Sequence, residues 1–188
     1  MSCPRLCDNP SGYGIISRVL HWGMALLFAW QFTSAILRVV ANDTPIEGFF
    51  WSTHATIGFT LWWLVLVRGV WGLMNLSRRP RLQGAPLQSF VASAGHLILY
   101  VLMIVVPTLA IMRAVGNGRG FSVYGLQLVA PGGEPNPALI APARAFHGWL
   151  GWTLLALILC HIAVALYHRF VLKDATLARM TRGTSNTR

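Results

Sequence analysis

The stretch FHGWLGWTLLALILCHIAVALYHRF, residues 146–170, is almost wholly apolar, yet it holds His147, His161 and His168. Imidazole binds transition metals and passes protons near neutral pH. An ionisable group inside an apolar span is costly enough to mark a functional position. The other three histidines, His21, His54 and His96, fall one each in three further apolar stretches. For a lone His the plain alternative is a neutral ring hydrogen-bonded to a neighbouring helix. Six that fall in two layers point instead to a shared chemical task.

The last stretch supplies a ruler. An α-helix turns ~100° per residue, so the step from His147 to His161 returns to within roughly 40° of the same face, and the step to His168 adds about 20° more. The three rings therefore share one stripe. At a rise of ~1.5 Å per residue, His147 and His161 stand ~21 Å apart along the axis. A metal ion with bonds of about 2 Å cannot bridge that gap, so the two rings serve separate sites at different depths.

The elements that must position them follow from composition. Of 188 residues, 55% are hydrophobic and only 11% charged, against roughly 25% charged in soluble domains. Crossing a bilayer takes about 20 apolar residues. Four stretches qualify, at roughly 19–40, 52–74, 90–112 and 147–171, with Pro107 late in the third. They predict an all-α, integral membrane four-helix bundle forming one domain over residues 1–188. The first run begins near residue 19, is long enough to span and lacks a small-residue cleavage site, so it reads as a helix of the bundle rather than a leader. The long connection, residues 113–146, contains APGGEPNPALIAPA and is expected to be mostly irregular, with FSVYGLQL forming a short helical turn at the surface. Cys160 reads as a packing residue, and Cys3 and Cys7 as ordinary thiols.

The net charge of +10 does not imply a nucleic-acid partner, because the cations punctuate the ends of the apolar stretches. Arg5, Arg18, Arg68, Arg78, Arg79, Arg81, Arg169, Lys173, Arg179, Arg182 and Arg188 fall on one side, and Arg38, Arg113, Arg119 and Arg144 on the other. The excess of cations on the cytoplasmic side of membrane proteins then places both termini in the cytoplasm.

Alternating spans put His54 and His147 at the outer level and His21 and His161 at the inner level. One imidazole from each of two helices suits a flat macrocycle held between them, which is bis-histidine haem, and four-helix bundles build cofactor sites in this way. Zinc asks for more ligands at one level. The outer level does not supply them, whereas His96 and His168 leave zinc open at the inner level. Arg68 follows His54 at the same interval that separates His161 from His147. It can therefore reach the inner level and hold a haem propionate, or snorkel to headgroups. Arg18, one turn before His21, has the same two readings. Gly58, Gly95, Gly148 and Gly151 can admit a porphyrin close to the backbone, or serve ordinary helix packing.

With these residues in view, the chain resembles the bacterial cytochrome b561 family of small di-haem membrane cytochromes. The resemblance runs from about Tyr13 to Met180. It rests on Tyr13 with His21-Trp22, His54 with Arg68, GHLILY at 95–100, Pro107, FSVYGL at 121–126, the three histidines of the last stretch, and KDATLARM at 173–180. The N-terminal MSCPRLC is not part of the pattern. The resemblance implies two b-type haems on His21, His161, His54 and His147, in a multi-pass protein of the bacterial inner membrane. It also implies an activity known in the family, superoxide oxidase, which takes electrons from superoxide at the outer face and passes them to ubiquinone.

For such an enzyme Arg113, Arg119 and Arg144 in the long outer connection would steer the superoxide anion, or anchor the loop at headgroups. His168 and His96 would hydrogen-bond a quinone or a propionate. Two other readings stand beside it. One is a cytochrome b subunit linking a dehydrogenase or hydrogenase partner to the quinone pool. The other is a non-redox ion carrier or structural bundle.

Overall fold

The computed structural model describes residues 5–80 and 86–183; Cys3, Arg81 and Arg188 lie outside them. The chain forms α1 (Ile15–Val40), α2 (Pro45–Ser52), α3 (His54–Met74), α4 (Pro86–Gly116), a hairpin of β1 (Phe121–Val123) and β2 (Leu126–Val129), α5 (Pro137–Tyr167) and α6 (Thr176–Thr181). A π-helical turn, His168–Leu172, extends α5. Four segments are long and apolar enough to cross a membrane: Ile15–Val40, Pro45–Met74, Pro86–Gly116 and Pro137–Leu172. The protein is thus an all-α membrane four-helix bundle. Large apolar side chains such as Leu26, Val70 and Trp149 point outward, as expected where lipid replaces protein as the apolar solvent.

The interior is narrow. Met24 of α1, Leu61 and Val65 of α3, Met103 of α4 and Leu154 of α5 meet in one cluster. The main seams join α1 to α3, α3 to α4 and α4 to α5. No comparable seam joins α1 to α5, so the bundle is looser on that side.

Local chemistry sets the boundaries. Thr44 caps α2 by accepting the Glu47 N–H at 3.3 Å, with Pro45 preorganised at the first helical position. A single residue, Thr53, separates α2 from α3, and Trp30 Nε1 donates to its hydroxyl at 2.9 Å. His54 is therefore the first residue of α3 and is held at a pinned joint. In α4, Pro107 cannot donate a backbone N–H. Close by, the Thr108 hydroxyl donates to the Ile104 carbonyl at 2.7 Å and accepts from Trp62 Nε1 at 3.0 Å, tying this part of α4 to α3.

Two expectations for the long connection need correction. FSVYGL forms a two-stranded hairpin rather than a helical turn, with Val123 opposite Leu126 and Ser122 opposite Gln127. Tyr124 and Gly125 both have positive φ, at 53° and 76°, the requirement of a two-residue turn whose twist matches the strands. The Tyr124 hydroxyl bonds the Thr60 hydroxyl, and Phe121 packs on Phe59 at 5.8 Å, so the hairpin docks on α3. The fourth helix also begins earlier than expected, at Pro137 rather than near residue 147. Asn136 accepts the Ala138 N–H at 3.1 Å and Pro137 suits the first helical position, so residues that read as irregular start a helix.

The segment before α1 and α6 meet at one end of the bundle, where the Tyr13 N–H donates to the Arg179 carbonyl at 3.3 Å. Residues before α1 cross its N-terminus, where the Arg5 carbonyl accepts the Ile15 N–H at 3.0 Å. Gly14 is needed there, since a Cβ would stand 2.3 Å from the Leu6 carbonyl oxygen. Asp8, 2% exposed, accepts from the Gly14 N–H at 3.0 Å and the Ser17 hydroxyl at 2.6 Å. Its other oxygen lies 3.4 Å from Arg79 Nε, an ion-pair distance without a hydrogen bond. Trp71 of α3 donates to the same Ser17 hydroxyl at 2.9 Å. Asp8→Ala strands these buried donors and is expected to lower stability by about 1–3 kcal/mol, read as earlier thermal unfolding in detergent; Asp8→Asn, which keeps an acceptor, should lose less.

Candidate functional site

Away from the termini, a cavity of about 310 Å³ lies among α1, α3, α4 and α5, and His54 and His147 both line it. Hydrogen bonding fixes the tautomer of each ring. The Ser34 hydroxyl spends its only proton on the Gln31 carbonyl at 2.6 Å, so at 2.7 Å from His54 Nδ1 it accepts. His54 therefore carries its proton on Nδ1 and a lone pair on Nε2, which meets Gln31 Nε2 at 3.1 Å. His147 donates from Nδ1 to the Val106 carbonyl at 3.0 Å, beside Pro107, and likewise leaves a lone pair on Nε2. An imidazole held by its N–H with the other nitrogen basic is the usual form of a metal ligand.

The cavity suits a flat apolar cofactor. Its walls include Phe28, Phe32, Leu61, Met103 and Leu154, and Gly58, Gly148 and Gly151 lie along it. A Cβ at Gly148 or Gly151 would meet nothing within 4 Å. Gln31 Oε1 is buried without a partner, a polar atom that protein alone leaves unsatisfied. Trp51 stacks on His54 at 4.6 Å, and Arg38 lies over Trp51 at 5.1 Å while pairing with Glu47 at 2.9 Å.

Gln31, Ser34 and Arg38 escaped the sequence reading. Their signal was available: three polar residues on one face of an otherwise apolar helix. His147 sits ten residues inside α5, so α5 continues roughly 15 Å beyond it.

Near the termini the rings gather differently. His21 of α1 and His161 of α5 face one another across the side without a seam, with ring centroids 6.4 Å apart and planes at 77°. Two imidazoles on opposite sides of one metal ion, each bonded at about 2 Å, have centroids at a similar separation of roughly 6 Å. His96 of α4 also approaches His161, at 5.3 Å, and donates from Nδ1 to the Ala92 carbonyl at 2.7 Å. Among the described residues no group of three His, Cys, Asp or Glu side chains is placed to hold a metal ion, which removes the support for zinc at this level. Arg68 is close enough to His21 and His161 for its charge to act on both, and its guanidinium lies 5.7 Å from the Tyr100 ring.

The remaining candidates lie apart from these rings. His168 opens the π-turn, and its Nδ1 is 2.5 Å from Asp174 Oδ2. Burial pushes the Asp174 carboxyl up, but hydrogen bonds from His168 and Thr176 outweigh it and hold the group at about 2. Asp174 is thus an anion that takes the Nδ1 proton and leaves Nε2 of His168 for another partner. Arg18, expected beside the inner rings, instead donates from Nη1 to the Thr181 carbonyl at 3.0 Å. Arg113 ends α4, Arg119 precedes the hairpin and Arg144 lies one turn before His147; all three are exposed and none lines the cavity, whereas Arg38 does.

The arrangement has counterparts. Residues 12–183 match the prokaryotic cytochrome b561 family. Cytochrome b561 homolog 2 of Escherichia coli K12 is 29% identical over 182 residues, 95% of this chain and 96% of its own length. Cytochrome b561 homolog 1 of the same organism is 28% identical over 86% of this chain and 92% of its own. A probable superoxide oxidase, CybB, of Yersinia pestis is 28% identical over 89% of this chain and 94% of its own. With basic imidazole nitrogens presented inside a membrane bundle and a family match that covers nearly the whole molecule, the chain belongs to the prokaryotic cytochrome b561 family, membrane-spanning electron-transfer proteins with b-type haem.

Proposed function

We propose that the protein holds two b haems, one between His54 and His147 and one between His21 and His161, and that it oxidises superoxide at the outer face and reduces ubiquinone at the inner face. The observation that carries this reading is the presence of two histidine pairs at opposite ends of one bundle, with Nε2 left basic on both rings of the outer pair. The relative named as a probable superoxide oxidase favours this donor over a dehydrogenase partner. A six-coordinate haem supplies single-electron transfer when bound and has no open position for oxygen chemistry.

The chain's own residues do the rest. Ser34 and the Val106 carbonyl orient the outer imidazoles, and the Ala92 carbonyl orients His96 as a neighbour of the inner pair. Arg68 is the residue assigned to an inner propionate; Arg18 is turned to the chain's end and is not. Arg113, Arg119 and Arg144, with Arg38 at the cavity, concentrate a small anion at the outer mouth. In balance, two superoxide anions give up two electrons and leave as dioxygen, and one ubiquinone takes two electrons and two protons. His168, its Nδ1–H oriented by Asp174, is assigned to hydrogen-bond the quinone and, when protonated on both nitrogens, to deliver a proton from Nε2. His96 is the second candidate there. Both termini are assigned to the cytoplasm of a bacterial inner membrane, a reading that the distribution of cations supports.

Three outcomes test this. His54→Ala or His147→Ala should take the haem count per chain from two to one, and His21→Ala or His161→Ala should remove the other; loss of both haems from each variant would refute the pairing. A superoxide source, with no other reductant, should reduce the haem absorbance of purified protein, more slowly at high ionic strength; an unchanged spectrum rules out this donor. His168→Ala and Asp174→Asn should slow quinone reduction about 10²-fold or more while leaving superoxide-driven haem reduction intact. Because Asp174 has its carboxyl depressed to about 2, its support of His168 is complete above the ordinary value of 3.8 and is lost only as pH falls towards 2. Protonation of the Asp174 carboxyl itself should therefore add no pH dependence to the Asp174→Asn defect between pH 5 and 8.

A further inference from the structure

Where the segment before α1 meets α6, a second cavity of about 150 Å³ is lined by Arg5, Tyr13, Ile15, Arg18 and Arg182. It is built by mutual capping. The last carbonyls of α6 have no partners within their own helix. The Arg179 carbonyl accepts the Tyr13 N–H at 3.3 Å, Met180 accepts Trp22 Nε1 at 3.1 Å, and Thr181 accepts Arg18 Nη1 at 3.0 Å. Gly183 closes on the Arg18 guanidinium so tightly that a Cβ there would stand 2.9 Å from Cζ. Arg18 is thereby fixed, yet its Nε is buried with no hydrogen-bond partner.

Among the described residues, three guanidinium groups line this small space and no carboxylate does. The five acidic side chains of the sequence are all described and all lie elsewhere. Asp8 is committed to Gly14, Ser17 and Arg79, and Asp174 to His168. Asp43, Glu47 and Glu134 belong to the connections at the opposite end. Converging like charges repel, and a buried guanidinium N–H without an acceptor carries a desolvation cost. An anion offering several acceptor oxygens relieves both, and the planar fork of Arg matches phosphate in particular.

We propose that this cleft is a binding site for a phosphate-bearing anion, either the headgroup of an anionic lipid or a soluble phosphate. The site lies beside the first turn of α1, where a span leaves the membrane, and basic residues at that depth attract anionic headgroups. Arg5 stands outside the stretch that matches the family, residues 12–183. The inference does not depend on the electron donor or acceptor.

The test uses the detergent-purified holoprotein and three probes: phosphatidylglycerol, phosphatidylcholine and inorganic phosphate, with bound stoichiometry read by native mass spectrometry and affinity by titration. Saturable binding of one phosphatidylglycerol per chain, without phosphatidylcholine binding, supports a lipid headgroup. Binding of inorganic phosphate that competes with phosphatidylglycerol supports a site for phosphate from either source. In either case Arg5→Gln with Arg182→Gln should weaken binding roughly tenfold or more, Arg5→Gln alone should weaken it less, and Arg169→Gln on the same end of the bundle should leave it unchanged. The haem spectrum of each variant, expected to match that of the parent, serves as the check on folding. Failure of all three probes to bind, or equal binding by the parent and both Arg5 variants, overturns the proposal.

Discussion

A neutral imidazole has one N–H and one lone pair, and in hydrocarbon neither can be left to water. That constraint organises the outer half of the bundle. The N–H of His54 is spent on Ser34 and that of His147 on Val106, so in each ring the basic nitrogen is the one left over. Ser34 can accept only because its own proton goes to the Gln31 carbonyl. The Val106 carbonyl directly precedes Pro107 in α4. On the proposed assignment, backbone and hydroxyl groups that would not touch the metal set which nitrogen is offered to it.

The other half is organised by charge. Arg68 and three imidazoles share one end of the bundle, and the two acidic side chains described at that end, Asp8 and Asp174, are engaged with Gly14, Ser17 and His168. The result is an electropositive end whose own carboxylates are spent on holding the fold. Carboxylates brought by a cofactor or a phosphate brought by a lipid are the natural complements of such a surface.

Much of this was legible in the chain. Four spans, the stripe of His147, His161 and His168, and the sharing of levels by His21 with His161 and by His54 with His147 follow from helix period and bilayer thickness. His21 and His161 face one another between α1 and α5, and His54 and His147 line one cavity. What sequence missed has physical causes. The hairpin turns on two adjacent positive-φ residues, Tyr124 and Gly125, and Tyr is a poor advertisement for that conformation. Pro137 and Pro142 disguised the start of α5, because Pro ends a helix in its interior but is tolerated near its beginning. Arg18 could not be assigned from α1 alone, since its partner is the carbonyl of Thr181 at the far end of the chain.

The three main seams, α1 with α3, α3 with α4 and α4 with α5, each join spans that are successive along the chain. Such a bundle can assemble in the order in which it is synthesised, each new helix finding its neighbour already in place. The gap between the first and last spans is then the only closure that must wait for the whole polypeptide. A planar guest could enter from that side until α5 arrives, after which α6 latches onto Tyr13, Arg18 and Trp22.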